Sequence, residues 1–180
     1  MQKQIIQQKS NIVEKMLSNS INNAMTNKGS NGRILLGKAN DYVVNTIKGL
    51  FGIDVTNRNH VLSDNNIRHM LNEHGDPVRE KQRGQIAITK RDIMNIPNII
   101  KNPDNIVRGT YNKNSGTIRY IKNYTDNISY VVEVIPTTGT SLEIKTMWKR
   151  PSGLANSLAP SLTSETQTSV TSSTSDKNIP

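Results

Sequence analysis

The chain has 180 residues, a formal charge of +9 and an isoelectric point near 9.9, with 33% hydrophobic and 4% aromatic residues. So lean a composition excludes one core spread evenly along the chain and favours a modest domain with flanking segments. The charge points to a polyanionic partner, nucleic acid or an anionic membrane surface, with a merely solvated basic surface as the plain alternative.

The absence of cysteine excludes disulfides and cysteine-ligated zinc. No apolar run nears the ~20 residues of a membrane span, and "MQKQIIQQKSN" lacks the apolar centre of a signal peptide.

Residues 1–49 read as a helical arm. Ile5, Ile12, Met16 and Met25, with Val13 and Leu17 beside them, recur at roughly helical spacing. "NKGSNGR" (Asn27 to Arg33) ends that helix, and a second amphipathic segment puts Leu36, Ala39, Val43, Ile47 and Leu50 on one stripe. Residues 50–150 differ in character. Ser63 or Asp64 caps a short helix running to about Glu73, with Ile67, Met70 and Leu71 on one side and Gly75 as its stop. "GQIAIT" is a short strand or extended lead-in. Thr89, with Asp92 three residues on, starts another helix, which Pro97 and Pro103 shorten or break.

A weak strand near Asn105 to Tyr111 precedes three clearer ones: "GTIRYIKN", "NISYVVEVIP" and "SLEIKTMWK". Their short, turn-rich connections imply an antiparallel meander. Helices first and strands last give an α+β fold. Residues 151–180 contain thirteen Ser or Thr and no aromatic, bury too little apolar surface to offset their ordering entropy, and read as a disordered tail.

The three histidines, His60, His69 and His74, lie within fifteen residues of one another. His69 and His74 are five apart, about 140° around a helix, which is poor for a shared metal. Either can act as a proton shuttle near neutral pH; the bland reading is a half-buried His69 and a His74 that merely ends the helix. On the strands, the apolar set Tyr130, Val132 and Val134 is expected to face the helices, leaving Glu133 and Lys145 on the open face, with Arg119 able to join them. An ordinary polar solvent face is the plain alternative. There is no phosphate-cradling glycine loop, nucleophile elbow or metal-ligand cluster, which disfavours a metal-dependent nuclease.

In order and spacing, "FGIDVTNRNHVLSDNNIRHMLNEHGD", "GQIAITKRDIMNIPNIIKNPDNI" and "IRYIKN…SYVVEVIPTTGTSLEIKTMWK" resemble the phage-associated nuclease domains of the Barnase–EndoU–colicin–RelE superfamily. Such domains occur at the C-termini of phage Mu F-like head proteins and polymorphic toxins. The similarity spans about Gly49 to Lys149. It implies helices packed on a four-stranded antiparallel sheet, here preceded by the helical arm, and metal-independent RNA cleavage with no cofactor. The positions it carries over are His69, His74, Lys122, Glu133, Lys145 and Thr146. Lys122 and Arg119 have opposite strand parity, so both reach one site only through a bulge or the strand end.

The expected activity is a ribonuclease toxin. The RNA 2′-hydroxyl attacks the phosphodiester, a histidine takes or gives the proton, lysines stabilise the charge, Thr146 donates a hydrogen bond, and Glu133 orients a cation or serves as base. Expected partners are RNA (tRNA among the options), an acidic immunity or antitoxin protein, and a parent phage-like head protein or toxin delivery module, with no membrane insertion. Action is expected in the bacterial cytoplasm of the target or producing cell, with phage association an option. Two competing readings are a basic, non-enzymatic phage head or packaging protein that binds nucleic acid, and the same fold turned to phosphotransfer.

Overall fold

A computed structural model describes residues 2–154. In chain order the elements are α1 (Gln2–Thr26), β1 (Arg33–Lys38), α2 (Asp41–Phe51), β2 (Asn59–Ser63), α3 (Asp64–His74), α4 (Pro77–Gln82), α5 (Lys90–Met94), α6 (Ile96–Lys101), β3 (Asn105–Tyr111), β4 (Ser115–Asn123), β5 (Asn127–Pro136) and β6 (Ser141–Pro151), followed by a 3₁₀ turn, Ser152–Leu154. The class is α+β, as expected, but the four-stranded antiparallel sheet is corrected. The described sheet has six strands in the order β1-β2-β6-β5-β4-β3. It is mixed, because β2 runs parallel to β6 while the other neighbours are antiparallel.

The two extra strands come from segments expected to be helical or irregular. In β1, Ile34 and Leu36 are buried while their neighbours are exposed, the period-two pattern of an edge strand. The stripe read from Leu36 to Leu50 is therefore split. Gly37 has a φ of +117°, a conformation that disfavours other residues, and the Asn40 side chain accepts from the Val43 amide at 3.0 Å. Helix α2 starts after that cap, and Val43 and Ile47 are its buried residues.

Helix α1 also turns a different face inward from the one expected. Leu17, Ile21 and Ala24, spaced by four and three, are buried, whereas Ile12, Met16 and Met25 are 58%, 50% and 50% exposed. One apolar cluster includes Leu17 and Ile21 of α1, Val43 of α2, Ile67 of α3, Ile99 of α6 and Ile144 of β6. The segments before residue 50 thus pack into the same core as those after it. Asp64 reinforces this. It is buried at the start of α3 and accepts from Ser20 Oγ, from Asn23 Nδ2 at 3.2 Å and from the Gly32 amide at 3.0 Å. Arg68, one turn on, donates to the Ser30 carbonyl at 2.7 Å. Together they tie α3 to α1 and to the loop after it. The tail from residue 155 onward lies outside the described residues.

Strand parity is the reverse of the expectation. Val131, Glu133 and Ile135 are buried against the helices; Tyr130, Val132 and Val134 are half-buried on the other face. The physical reason is that the buried Glu133 carboxylate is satisfied. Tyr120 Oη donates to it at 2.6 Å, and His60 Nδ1 of β2 lies 2.7 Å away. Burial, with the adjacent Glu133 charge, holds the Tyr120 phenol well above its ordinary pKa. In β6, Leu142 and Ile144 face inward, and then the phase slips. Val132 pairs with Thr146 but Glu133 pairs with Ile144, so Lys145 is one extra residue, a β-bulge. Beyond it Met147 and Lys149 face inward.

Candidate functional site

The site forms where β2 stops. Strand β2 covers β6 only as far as the Leu62–Ile144 pair, and the chain then turns through the Ser63 cap into α3. Helix α3 takes over the place beside β6. Asn66 closes the gap: its Nδ2 donates to the Ile144 carbonyl at 2.8 Å, a backbone group at the last β2–β6 pair, and to the Glu143 side chain at 2.9 Å. Between helix and strand lies a cleft of about 470 Å³ lined by Asn65, Asn66, Arg68, His69, Asn72, Lys145 and Thr146.

The bulge is what puts two consecutive β6 side chains, Lys145 and Thr146, at this cleft. The Lys145 ammonium lies 3.4 Å from Glu143, a pair open enough to water that it leaves the ammonium free to turn to an anion. Thr146 Oγ1 is buried with no hydrogen-bond partner among the described residues, a donor in place for an incoming group. His69 is exposed on α3 and lines the cleft instead of packing in the core.

His74, the last residue of α3, is half-buried. Its Nδ1 lies 3.2 Å from Oε2 of Glu80, a fully buried carboxylate whose other oxygen accepts from Arg83 at 2.8 Å. The ring also sits against Trp148, centroids 6.4 Å apart. Trp148 stacks on its cross-strand partner Tyr130 at 5.2 Å and 12°, and the Arg119 guanidinium reaches over both rings, 5.1 Å from the indole and 6.0 Å from the phenol. Register sets Arg119 opposite Val132 and Val132 opposite Thr146. Arg119, Thr146, Trp148 and Tyr130 therefore share the sheet face away from Glu133.

Of the expected positions, the structure brings His69, Lys145 and Thr146 to one cleft and sets His74 beside Trp148 on the same side of the sheet. It does not bring Glu133 or Lys122 there. Glu133, expected on the open face, is buried beneath the sheet with His60 and Tyr120. Lys122 pairs with Asp104 at 2.7 Å, and the β4 register is unbroken from Ser115 to Asn123, so no bulge turns it to the side of Arg119. Asn66, Glu80, Tyr130 and Trp148 were not expected at the site. For Trp148 a signal existed, since it follows Thr146 by two in a strand. Glu80 reaches His74 through a turn that spacing alone does not reveal. Among the described residues no group of three or more His, Asp or Glu side chains is placed to hold a metal ion.

A family model described as phage-Barnase-EndoU-ColicinE5/D-RelE like nuclease3 matches residues 37–157. The chain belongs to this nuclease family. The matched span runs from the last two residues of β1 past β6 and includes every residue that lines the cleft between α3 and β6. No curated protein and no solved structure matches the chain. Helix α1 and the first four residues of β1 precede the matched span of the nuclease domain, yet Leu17, Ile21 and Ile34 belong to its core.

Proposed function

We propose that this nuclease domain cleaves RNA without a metal ion, the substrate supplying its own 2′-hydroxyl as nucleophile. The observation that carries the reading is the cleft in which an exposed histidine, a lysine and an orphaned hydroxyl, His69, Lys145 and Thr146, meet on a chain of charge +9. His69 takes the proton from the 2′-hydroxyl as that oxygen attacks phosphorus. Lys145 balances the charge gathering on the phosphorane, and Thr146 donates to a non-bridging oxygen. His74, held by Glu80 and about 7.5 Å along the helix axis from His69 by helical rise, protonates the departing 5′-oxygen. The products are a 2′,3′-cyclic phosphate and a 5′-hydroxyl end. Glu133 and Lys122, paired elsewhere, take no direct part.

Such an activity fits a toxin restrained by an acidic immunity protein laid over the basic face, where opposite charge gives fast capture. No described helix is long and apolar enough to cross a membrane. The test is incubation of purified protein with RNA in EDTA, comparing wild type with His69→Ala and Lys145→Ala. The expected outcome is cleavage to cyclic phosphate ends, reduced roughly 10²–10⁴-fold by His69→Ala. Equal activity in all three proteins would sink the assignment. Salt-sensitive binding of RNA and DNA with no products would favour a non-enzymatic packaging protein.

A further inference from the structure

The proton-transfer and phosphate groups above leave one feature of the same face unused. Tyr130 and Trp148 stand stacked on the side of the sheet away from the core, 5.2 Å apart and nearly parallel, half-buried instead of covered by a helix. Two large rings left on a solvent face, with an exposed cationic side chain lying over them, are costly unless something uses them. Their position narrows what that is. Trp148 follows Thr146 by two residues on the same face of β6, a step of roughly 7 Å. A strand whose phosphate sits at Lys145 and Thr146 would bring a neighbouring base over the rings.

We infer that Tyr130 and Trp148 form a stacking platform for one unpaired nucleobase of the bound strand, with Arg119 closing over it. This rests on the proposed nuclease reading, and adds to it a base-binding subsite and a requirement for single-stranded substrate. The base takes the place over the indole that the guanidinium covers in the free protein. Arg119, on an exposed and flexible stem, moves to the outer face of the base, where a planar guanidinium stacks as well as an aromatic ring does. Stacking uses the π-face that every base has, so the platform accepts any base and favours purines through their larger face.

Trp148 is the only tryptophan, so its fluorescence reports on the platform directly. The probe is a deoxyadenylate decamer, which lacks the 2′-hydroxyl and survives the proposed chemistry. The control is an abasic decamer with the same backbone charge, at the same salt. The expected result is quenching of Trp148 by the first and not the second, with affinity about 5- to 150-fold higher for the first. Tyr130→Ala, which leaves the reporter in place, should remove most of that difference while keeping the thermal transition, and by anisotropy of labelled decamers, which needs no tryptophan, Trp148→Phe should keep more of it than Trp148→Ala. Equal affinity for the two decamers with no base-dependent quenching overturns the platform, whether or not the variants fold. Cleavage of RNA without base-dependent quenching removes the platform and leaves the nuclease reading standing. Base-dependent quenching without cleavage does the reverse.

Discussion

Glu80 and Asp64 are both fully buried carboxylates, and they work on opposite ends of α3. Glu80 is held between Arg83 and His74, so it fixes the ring of His74 without touching substrate. Glu80→Gln removes the charge and keeps the volume. The expected outcome is a fall in kcat of up to about 10²-fold through misplacement of the ring, with KM little changed, measured by steady-state cleavage. Asp64 tests the anchor instead of the chemistry. Burial acts to raise its pKa, but the combined hydrogen bonds from Ser20, Ser30, Gly32 and Asn23 outweigh it and leave the carboxyl below its ordinary 3.8. A lowered folded pKa means that the ionised form stabilises the fold above 3.8, and that this is lost as pH falls through the folded value. Asp64→Asn is therefore expected to be ~1–3 kcal/mol less stable than wild type at pH 7. Denaturant titrations should show that gap closing below pH 3.8.

At the scale of elements, the bulge in β6 decides which residues reach the cleft. Were β6 to run on as a regular ladder with Lys145 paired, everything after Ile144 would move to the opposite face: Met147 and Lys149 would turn outward, Thr146 and Trp148 inward. Deleting Lys145 removes the extra residue itself: Ile144 and Thr146 already face consecutive β5 residues, so the ladder becomes regular and Thr146, Met147 and Trp148 keep their faces, whereas Lys145→Ala keeps the bulge. By circular dichroism melting, both variants should keep a cooperative transition, the substitution within a few degrees of wild type, while RNA cleavage falls in both because the cleft loses its lysine.

The bulge also explains what could be read beforehand and what could not. The Ser63 cap, the Thr89–Asp92 capping box and the turns between β3, β4, β5 and β6 are local signals, and all are present. The phase slip at Lys145 and the inward Glu133 depend on partners far along the chain. A buried carboxylate looks forbidden until His60 is known to lie in a strand and Tyr120 is known to sit beside it. The five residues of β2, "NHVLS", are too few for periodicity to separate strand from helix. The apolar spacing from Leu36 to Leu50 fits a helix although Gly37 and Asn40 divide it. His69 and Lys145 were candidates from the histidine cluster and from strand parity, but only the family resemblance joined them with Thr146 in one site, since nothing in their spacing brings α3 to β6.

For the whole molecule, the question is whether the nuclease domain stands without the segment before its family match at residue 37. Helix α1 buries Leu17 and Ile21 almost completely, together with Ala24. Each large side chain is worth about 1.5–3 kcal/mol on burial. Removing residues 1–32 would also strip Asp64 of the Ser20, Asn23 and Gly32 donors and Arg68 of its Asn27 and Ser30 acceptors, leaving a buried carboxylate at the start of the helix that carries His69. Breaking such a buried charged network costs several kcal/mol more. Against a total stability of about 5–15 kcal/mol for a domain, the sum reaches the margin. A chain beginning at residue 33 is thus expected to melt at least about 10 °C lower, or to lose its cooperative transition, with amide exchange rising first in α3. Unchanged melting and unchanged exchange in α3 would show instead that α1 is an appendage and that Asp64 finds water in place of its partners.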